Sequence, residues 1–560
     1  MKVIGKILLT ILLLLLLAVV AVYVLAQTQW GASWISRTLS QHSDYQIAFT
    51  KLEHNFSDPS HLILDNASFG LKTQPATVVA KKIDLGLSSG QFADPLHFSS
   101  IWLENGTLNV TDNGKPLAFS ADRLQLNQMA IDSPGSKLPV AARRVDGGIV
   151  PWKPQAGDFI GSDASFQMSA GSLELNGVPA TNVLLQGSIN SNQLVVSNLG
   201  ADVALGSVTG SAQRDAQGNW QVAILRLNSI RLQSDQSLSN FLDPILTLPS
   251  VHFDRIDVTD ARLEGADWAV TDLDMALKNI TLRNGDWESN DGSLSMNAST
   301  FVNGSLELND PIVNLAFSPE GVALTQFSSR WVNGLIRTSG HWTRSDKKLT
   351  LDELAVAGLE YTLPQNWHDR WMARLPDWLD SVEVTKFAAN RNLIIDINPD
   401  FPFQLTSLEG NGSNLLMARN HQWGIWSGNV SLNAAEATFN RVDVRHPSIT
   451  LNADDNNINV TEMSAFTKSG MVESVATLSQ QPQRALSLTM TGREVPVDLL
   501  HDWGWPTVPL DGNGTLQLKV QGSLAADKPL KAGMNGTLSV TAGDKTLQQT
   551  MTGGQVAGAQ

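Results

Sequence analysis

The chain has no cysteine in its 560 residues, which excludes disulfide staples, thiolate metal sites and cysteine nucleophiles. Charge is scarce as well. Asp, Glu, Lys and Arg make up 17% of residues, against roughly 25% in ordinary soluble domains. Asn, Ser, Thr and Gly take their place, a composition of short strands and turns rather than of solvent-facing helices. No run of Lys or Arg exceeds a pair, and the formal net charge is -15. A nucleic-acid partner needs a basic surface to displace phosphate counterions, so that class is set aside. With 3 Tyr, the aromatic girdles of an outer-membrane barrel are missing too.

Catalytic signatures are also lacking. There is no HExxH, no P-loop and no G-x-S-x-G elbow; "GSVTG" at Gly206 has Val208 at the nucleophile position. His368 and His501 stand in helix-like segments as surface or cap residues, without an oriented partner. Asp454 and Asp455 lack the alternate-oxygen loop and distant bidentate Glu of a Ca²⁺ site, and read as a solvated turn. In "DRIDVTD", Asp257 alternates with Ile256 and Val258, while Asp254 and Asp260 sit at the ends of the strand. The three acids do not converge. The sequons at Asn105 and Asn513 coincide with strand starts, where turn chemistry explains them. No catalytic, cofactor or metal residue is expected.

One long apolar run is present. Lys2 and Lys6 precede Ile7–Ala26, which at about 1.5 Å per residue spans the roughly 30 Å of a bilayer core. A cleaved signal peptide has a shorter apolar region, about 7–15 residues. Val24-Leu25-Ala26 fits a cleavage pattern, but the length favours an anchor. Residues 1–6 then stay cytoplasmic and everything after Ala26 lies beyond the membrane. Trp30 and Trp34 suit the interface and, with Ile35 and Leu39, the spacing of a short amphipathic helix.

From Tyr45 onward the period changes to two. One turn-and-strand phrase recurs: "GTLNV" at Gly106, "GSLEL" at Gly171 and Gly304, "GSLSM" at Gly292, "GTLQL" at Gly514 and "GTLSV" at Gly536. Such alternation with Asn-Gly turns predicts hairpin-linked strands with one apolar face. Residues 132–165, with Pro134, Pro139, Pro151 and Pro154, alternate poorly and read as a long connection or irregular edge. A looser module, a short helix, a Pro-bearing junction and then a strand, starts at Ser237, Pro364 and Val495. Its first two copies carry Phe241, Leu242, Ile245 and Leu246, then Trp367, Trp371, Leu375 and Trp378. Such stripes cap a sheet or line a groove. The expected plan is a stub at 1–6, an anchor at 7–26, a β-rich region at 27–235, a continued sheet with the three modules at 236–545, and a disordered tail at 546–560.

With its anchor, its alternating strands and "VPLDGNGTLQLKVQG", the chain resembles the AsmA-like family of Gram-negative envelope proteins over nearly its whole length. "GVPATNVLLQGSINSNQLVVSNLGADVALGSVTGSAQ" looks like the family's central element, and "LDGNGTLQLKVQGSL" with "KAGMNGTLSVTAGD" like its C-terminal block. The resemblance implies a mainly β fold: a transmembrane helix, then a long, curved, antiparallel sheet, open like a groove, with a few short amphipathic helices. It also implies an inner-membrane protein with a periplasmic body, similar to bridge-like lipid-transfer proteins. Phospholipid acyl chains are its expected partners, with envelope proteins besides. On that reading Leu516, Leu518 and Val520 face acyl chains, as do Leu306, Leu308, Leu173 and Leu175 in the same phrase elsewhere. The alternative is a non-enzymatic envelope scaffold that modulates outer-membrane protein assembly or localisation, with a dry core.

Overall fold

The computed structural model describes residues 2–109, 119–133, 140–155, 159–175, 177–246, 250–506, 508–524 and 531–556. The chain is mainly β, with one long apolar helix at its start. That helix, α1 (Lys2–Ala26), contains an apolar span Lys6–Ala26 with no part buried in protein. It is the one helix among the described residues long and apolar enough to cross a membrane. A second helix, α2 (Gln29–Gln41), follows at once.

Two compact units make up the chain. The first holds Met1–Glu264 and Leu277–Asp286, the second Gly265–Ala276 and Trp287–Gln560. Each is built on a large ladder in which most neighbours pair antiparallel. The exceptions among the long strands are Ser100–Asn109 beside Leu124–Ser133, Trp220–Asn228 beside Ser250–Glu264, and Lys348–Ala357 beside Ser381–Asp396, the last two extended in the same sense by the short strands Arg231–Gln233 and Glu360–Thr362. A parallel pair needs a crossover connection. Two of the expected helical modules supply it: α3 (Leu238–Leu246) in the first unit and α4 (Trp367–Met372) in the second. The third, α5 (Leu499–Asp502), instead joins an antiparallel pair, Ala485–Pro496 and Asn513–Ser523.

Many long strands carry one residue at positive φ where the register slips. Gln128, Asn182, Asp310, Arg391, Asn414, His446 and Glu494 all lie at such slips, with φ between 47° and 54°. A bulge bends its strand and strengthens its twist, and the extra residue keeps the apolar side chains beyond it on the same face. Asn and Asp recur here because short polar side chains tolerate the left-handed region.

Two expectations fail. Residues 132–165 are no irregular edge: Val140–Val150 is an interior strand, paired with Leu124–Ser133 and Asp163–Leu175. Pro134 and Pro139 lie outside the described residues. The stretch from 546 is not a disordered tail either. Lys545–Thr552 pairs with Asn535–Ala542, and Gln555–Val556 folds back on it. Residues 557–560 are outside the described part.

Each unit has a core cluster of its own. In the first unit it gathers Ile83, Leu103, Leu124, Leu126, Ile149 and Phe166, together with Ala32 of α2, Ala121 and Trp152. In the second it gathers Val495, Val497, Leu499, Leu500, Trp505, Leu516, Leu518, Leu538 and Val540. Leu516→Ala is therefore expected to cost about 2–5 kcal/mol, as a cavity under packed neighbours. Leu488, half-buried on the strand next to that of Leu516 and paired with Val520, should cost less than about 1.5 kcal/mol as Leu488→Ala, because less packing is lost. Denaturant unfolding of the two variants, followed by circular dichroism, compares them.

Candidate functional site

Directly paired residues on neighbouring strands share a face. Following the pairs across the first unit gives an unbroken apolar or glycine row: Leu64, Ile83, Leu103, Leu126, Gly147 and Met168. It continues through Leu185, Leu199, Gly210, Leu225 and Ile256. The second unit has its own: Met296, Val313, Phe327, Thr338, Leu354, Phe387 and Gly412. That row runs on through Val430, Leu451, Val460, Ala476, Leu488 and Val520 to Gly536. Thr338 is its one polar member.

The burial along these rows separates a packed core from an open face. Ile83, Leu103 and Leu126 are 7%, 3% and 2% exposed. From Met168 to Ile256 every member is only half-buried. In the second unit, Met296 to Val430, Val460 to Val520 are half-buried as well. An apolar face packed against a second layer is sealed, as interiors are close-packed. Here the alternation continues after the covering layer stops.

Where the face is covered, connections do it. Phe119 stacks edge-on to Phe69 at 4.8 Å and lies 5.6 Å from Trp152, whose ring N–H donates to the Phe159 carbonyl at 2.9 Å. In the second unit, Leu375 and Leu379 of the crossover pack with Val382 and Ala418, and against half-buried Trp342, Leu349 and Trp423. Trp342, Leu349, Val382, Ala418 and Trp423 are themselves a paired row on one face. This crossover is thus a strap over the apolar face. Trp371 stacks on Trp423 at 5.8 Å, and the Trp367 ring N–H donates to Asp396 at 3.1 Å. The outer side of the strap leaves Met372 and Trp378 59% exposed. In α3, Leu242 and Ile245 are also exposed.

The residues singled out in the sequence separate under this geometry. Val520 lies at the end of the row, between Leu488 and Gly536, half-buried and packed against the cluster that holds Leu516 and Leu518. Leu516 and Leu518 are 1% and 6% exposed, inside the cluster that Leu499, Leu500 and Trp505 complete. Protein already occupies the space in front of them. Leu173 is half-buried at the edge of the first core, paired with Ala142 and Ala180. Leu175 is exposed at a strand end. Leu308 pairs with Phe301, and Leu306 is exposed beside a turn. Sequence reading missed the row from Val313 to Leu488. Its signal was there in the alternation, but only the register reveals which residues line up.

The titratable groups are engaged one by one. Asp454 accepts the amides of Asn456 and Asn457 at 2.8 and 2.9 Å, and these bonds hold its carboxyl below the ordinary range. Asp455 pairs with Arg419 at 2.7 Å. Asp254, Asp257 and Asp260 point to separate partners: His252, Arg255 and Arg231. The bond from Arg231 is the chief cause that lowers Asp260. Asp84 bonds His61 at 2.7 Å, which raises the imidazole's affinity for a proton. His368 is exposed beside Asp369, and His501 is exposed on α5. No cluster of three or more metal-ligating side chains occurs among the described residues.

The model of the AsmA family matches residues 58–544. The chain is 54% identical over 558 residues to the AsmA family protein YicH of Escherichia coli (strain K12), an alignment covering 100% of this chain and 98% of that protein. The chain belongs to the AsmA family.

Proposed function

We propose that this protein is anchored in the bacterial inner membrane by α1, with residues 1–6 cytoplasmic and the β body periplasmic. Its open apolar faces carry the acyl chains of phospholipids, which it binds or conducts between inner and outer membrane in support of outer-membrane homeostasis. The observation that carries this reading is the pair of half-buried apolar rows, which continue past the local cores. An apolar face of that length is costly to leave in water and gains from an apolar ligand. Acyl chains fit it because they are long and flexible and need no hydrogen-bond partners from the wall. The headgroup stays at the open side of the face, in solvent. Membership of the AsmA family supports a place in the cell envelope. The function is non-enzymatic on this reading: the wall supplies apolar area rather than oriented acids.

The test is transfer. Full-length protein reconstituted in donor vesicles should move a fluorescent phospholipid to acceptor vesicles faster than protein-free donors. Equal rates would remove the conduit and leave a scaffold with empty faces.

A further inference from the structure

We propose that α2 and the turn Asn55–Ser57 form a second membrane-contact surface, seated in the headgroup layer of the bilayer that α1 crosses. The inference rests on α1 being the membrane anchor.

The position of α2 is fixed from both sides. Thr28 caps it by accepting the Gly31 amide at 3.2 Å, and its own hydroxyl donates to the Leu25 carbonyl at 2.7 Å. A Cβ on Gly31 would stand 2.0 Å from that same carbonyl oxygen. Only glycine lets α2 start this close to the end of α1. Ala32 and Ser36 are buried on the inner side. Ser40 binds both the amide and the carbonyl of Ile47, at 2.8 and 2.9 Å, which ties α2 to the first strand.

The outer side of α2 then presents Trp30, 71% exposed, Trp34, 62% exposed, and exposed Arg37. They follow one another at helical spacing of four and three residues. Two indoles and a guanidinium along one stripe suit the headgroup layer, where amphipathic rings and phosphate-binding cations settle.

A separate contact brings the strand turn to the same depth. The Tyr23 hydroxyl of α1 donates to the His54 carbonyl at 2.8 Å and lies 3.0 Å from His54 Nδ1. Phe56, 78% exposed, stands 4.8 Å from the Tyr23 ring. Tyr23 is one turn before Ala26, the end of the apolar span. At 1.5 Å per residue, that is about 5 Å inside the boundary. The exposed Phe56 is therefore held at the boundary by the anchor itself. Bilayer lipid is the occupant that this continuity with α1 favours.

The cysteine-free chain makes the test direct. Trp34→Cys, Phe56→Cys, Ala216→Cys and Val20→Cys, each in the full-length protein, are labelled with an environment-sensitive fluorophore. They are reconstituted in phosphatidylcholine–phosphatidylglycerol vesicles with lipid carrying a nitroxide near the headgroup or deep in the acyl chain. The expected result is blue-shifted emission and headgroup-nitroxide quenching at positions 34 and 56, with neither at exposed position 216. Deep quenching at position 20 reports that the anchor is inserted. Labels at 34 and 56 that behave like 216 while 20 is quenched overturn the seat and leave the anchor standing. No quenching at 20 overturns the anchor and the seat with it. A blue shift at 34 and 56 without lipid quenching overturns the proposal in favour of a protein partner.

Discussion

Leu354→Asp combined with Val460→Asp is expected to abolish phospholipid transfer while leaving the protein folded. Both side chains are half-buried members of the open row in the second unit, paired with Thr338 and Phe387 and with Leu451 and Ala476. In the lipid-free chain their outer sides face water, so each carboxylate remains hydrated and the fold loses no more than about 1–2 kcal/mol per site. An acyl chain lying on the row would strip that water, and an unpaired carboxylate resists desolvation by several kcal/mol. Transfer should fall at least about tenfold, the equivalent of 1.4 kcal/mol. Gln326→Asp with Thr477→Asp places the same charges on the opposite face, where Gln326 and Thr477 are exposed; transfer should then be unchanged. Circular dichroism checks the fold, and vesicle transfer checks the function.

Trp152→Ala should produce the largest loss of stability. Its side chain is 1% exposed, touches the Phe119 and Phe159 rings and donates a hydrogen bond to the Phe159 carbonyl. Removing it opens a cavity and leaves that carbonyl without its indole donor, a cost of about 3–5 kcal/mol. The loss concentrates in the first unit, so urea-dependent proteolysis between residues 119 and 160 reads it directly. Trp378→Ala removes as large a ring from the outside of the strap, 59% exposed. That change should stay within about 0.5 kcal/mol. If the two variants unfold alike, the division into packed and open parts is wrong.

Much of this architecture is legible in the sequence, and the failures have physical causes. The anchor is plain because bilayer thickness sets its length. The strands from Tyr45 onward are plain because a half-apolar strand must alternate. The strand Val140–Val150 hides because Arg143, Arg144, Gly147 and Gly148 interrupt that period, with Arg144 at positive φ. Lys545–Thr552 hides because Gln549, polar by type, turns inward and accepts the buried Trp505 ring N–H at 2.9 Å. Leu516 and Leu518 looked open because a strand records only which of its faces is apolar. What covers that face comes from residues 497–505, folded over it from the preceding turn. The parallel joints were equally hidden, since a crossover leaves the strand pattern unchanged on either side. The bulges did leave a trace. Asn182, Asp310 and Asn414 each break the alternation by one residue, a signal that reading for strict period two discards.

The most direct measurement is site-specific photocrosslinking of the full-length protein in its own membrane. A photoreactive residue is placed at Leu354 or Val460 on the open row, and at Gln326 or Thr477 on the opposite face. Phospholipid adducts are expected at the first pair and none at the second. Absence of adducts at Leu354 and Val460, or equal adducts at all four positions, would contradict it.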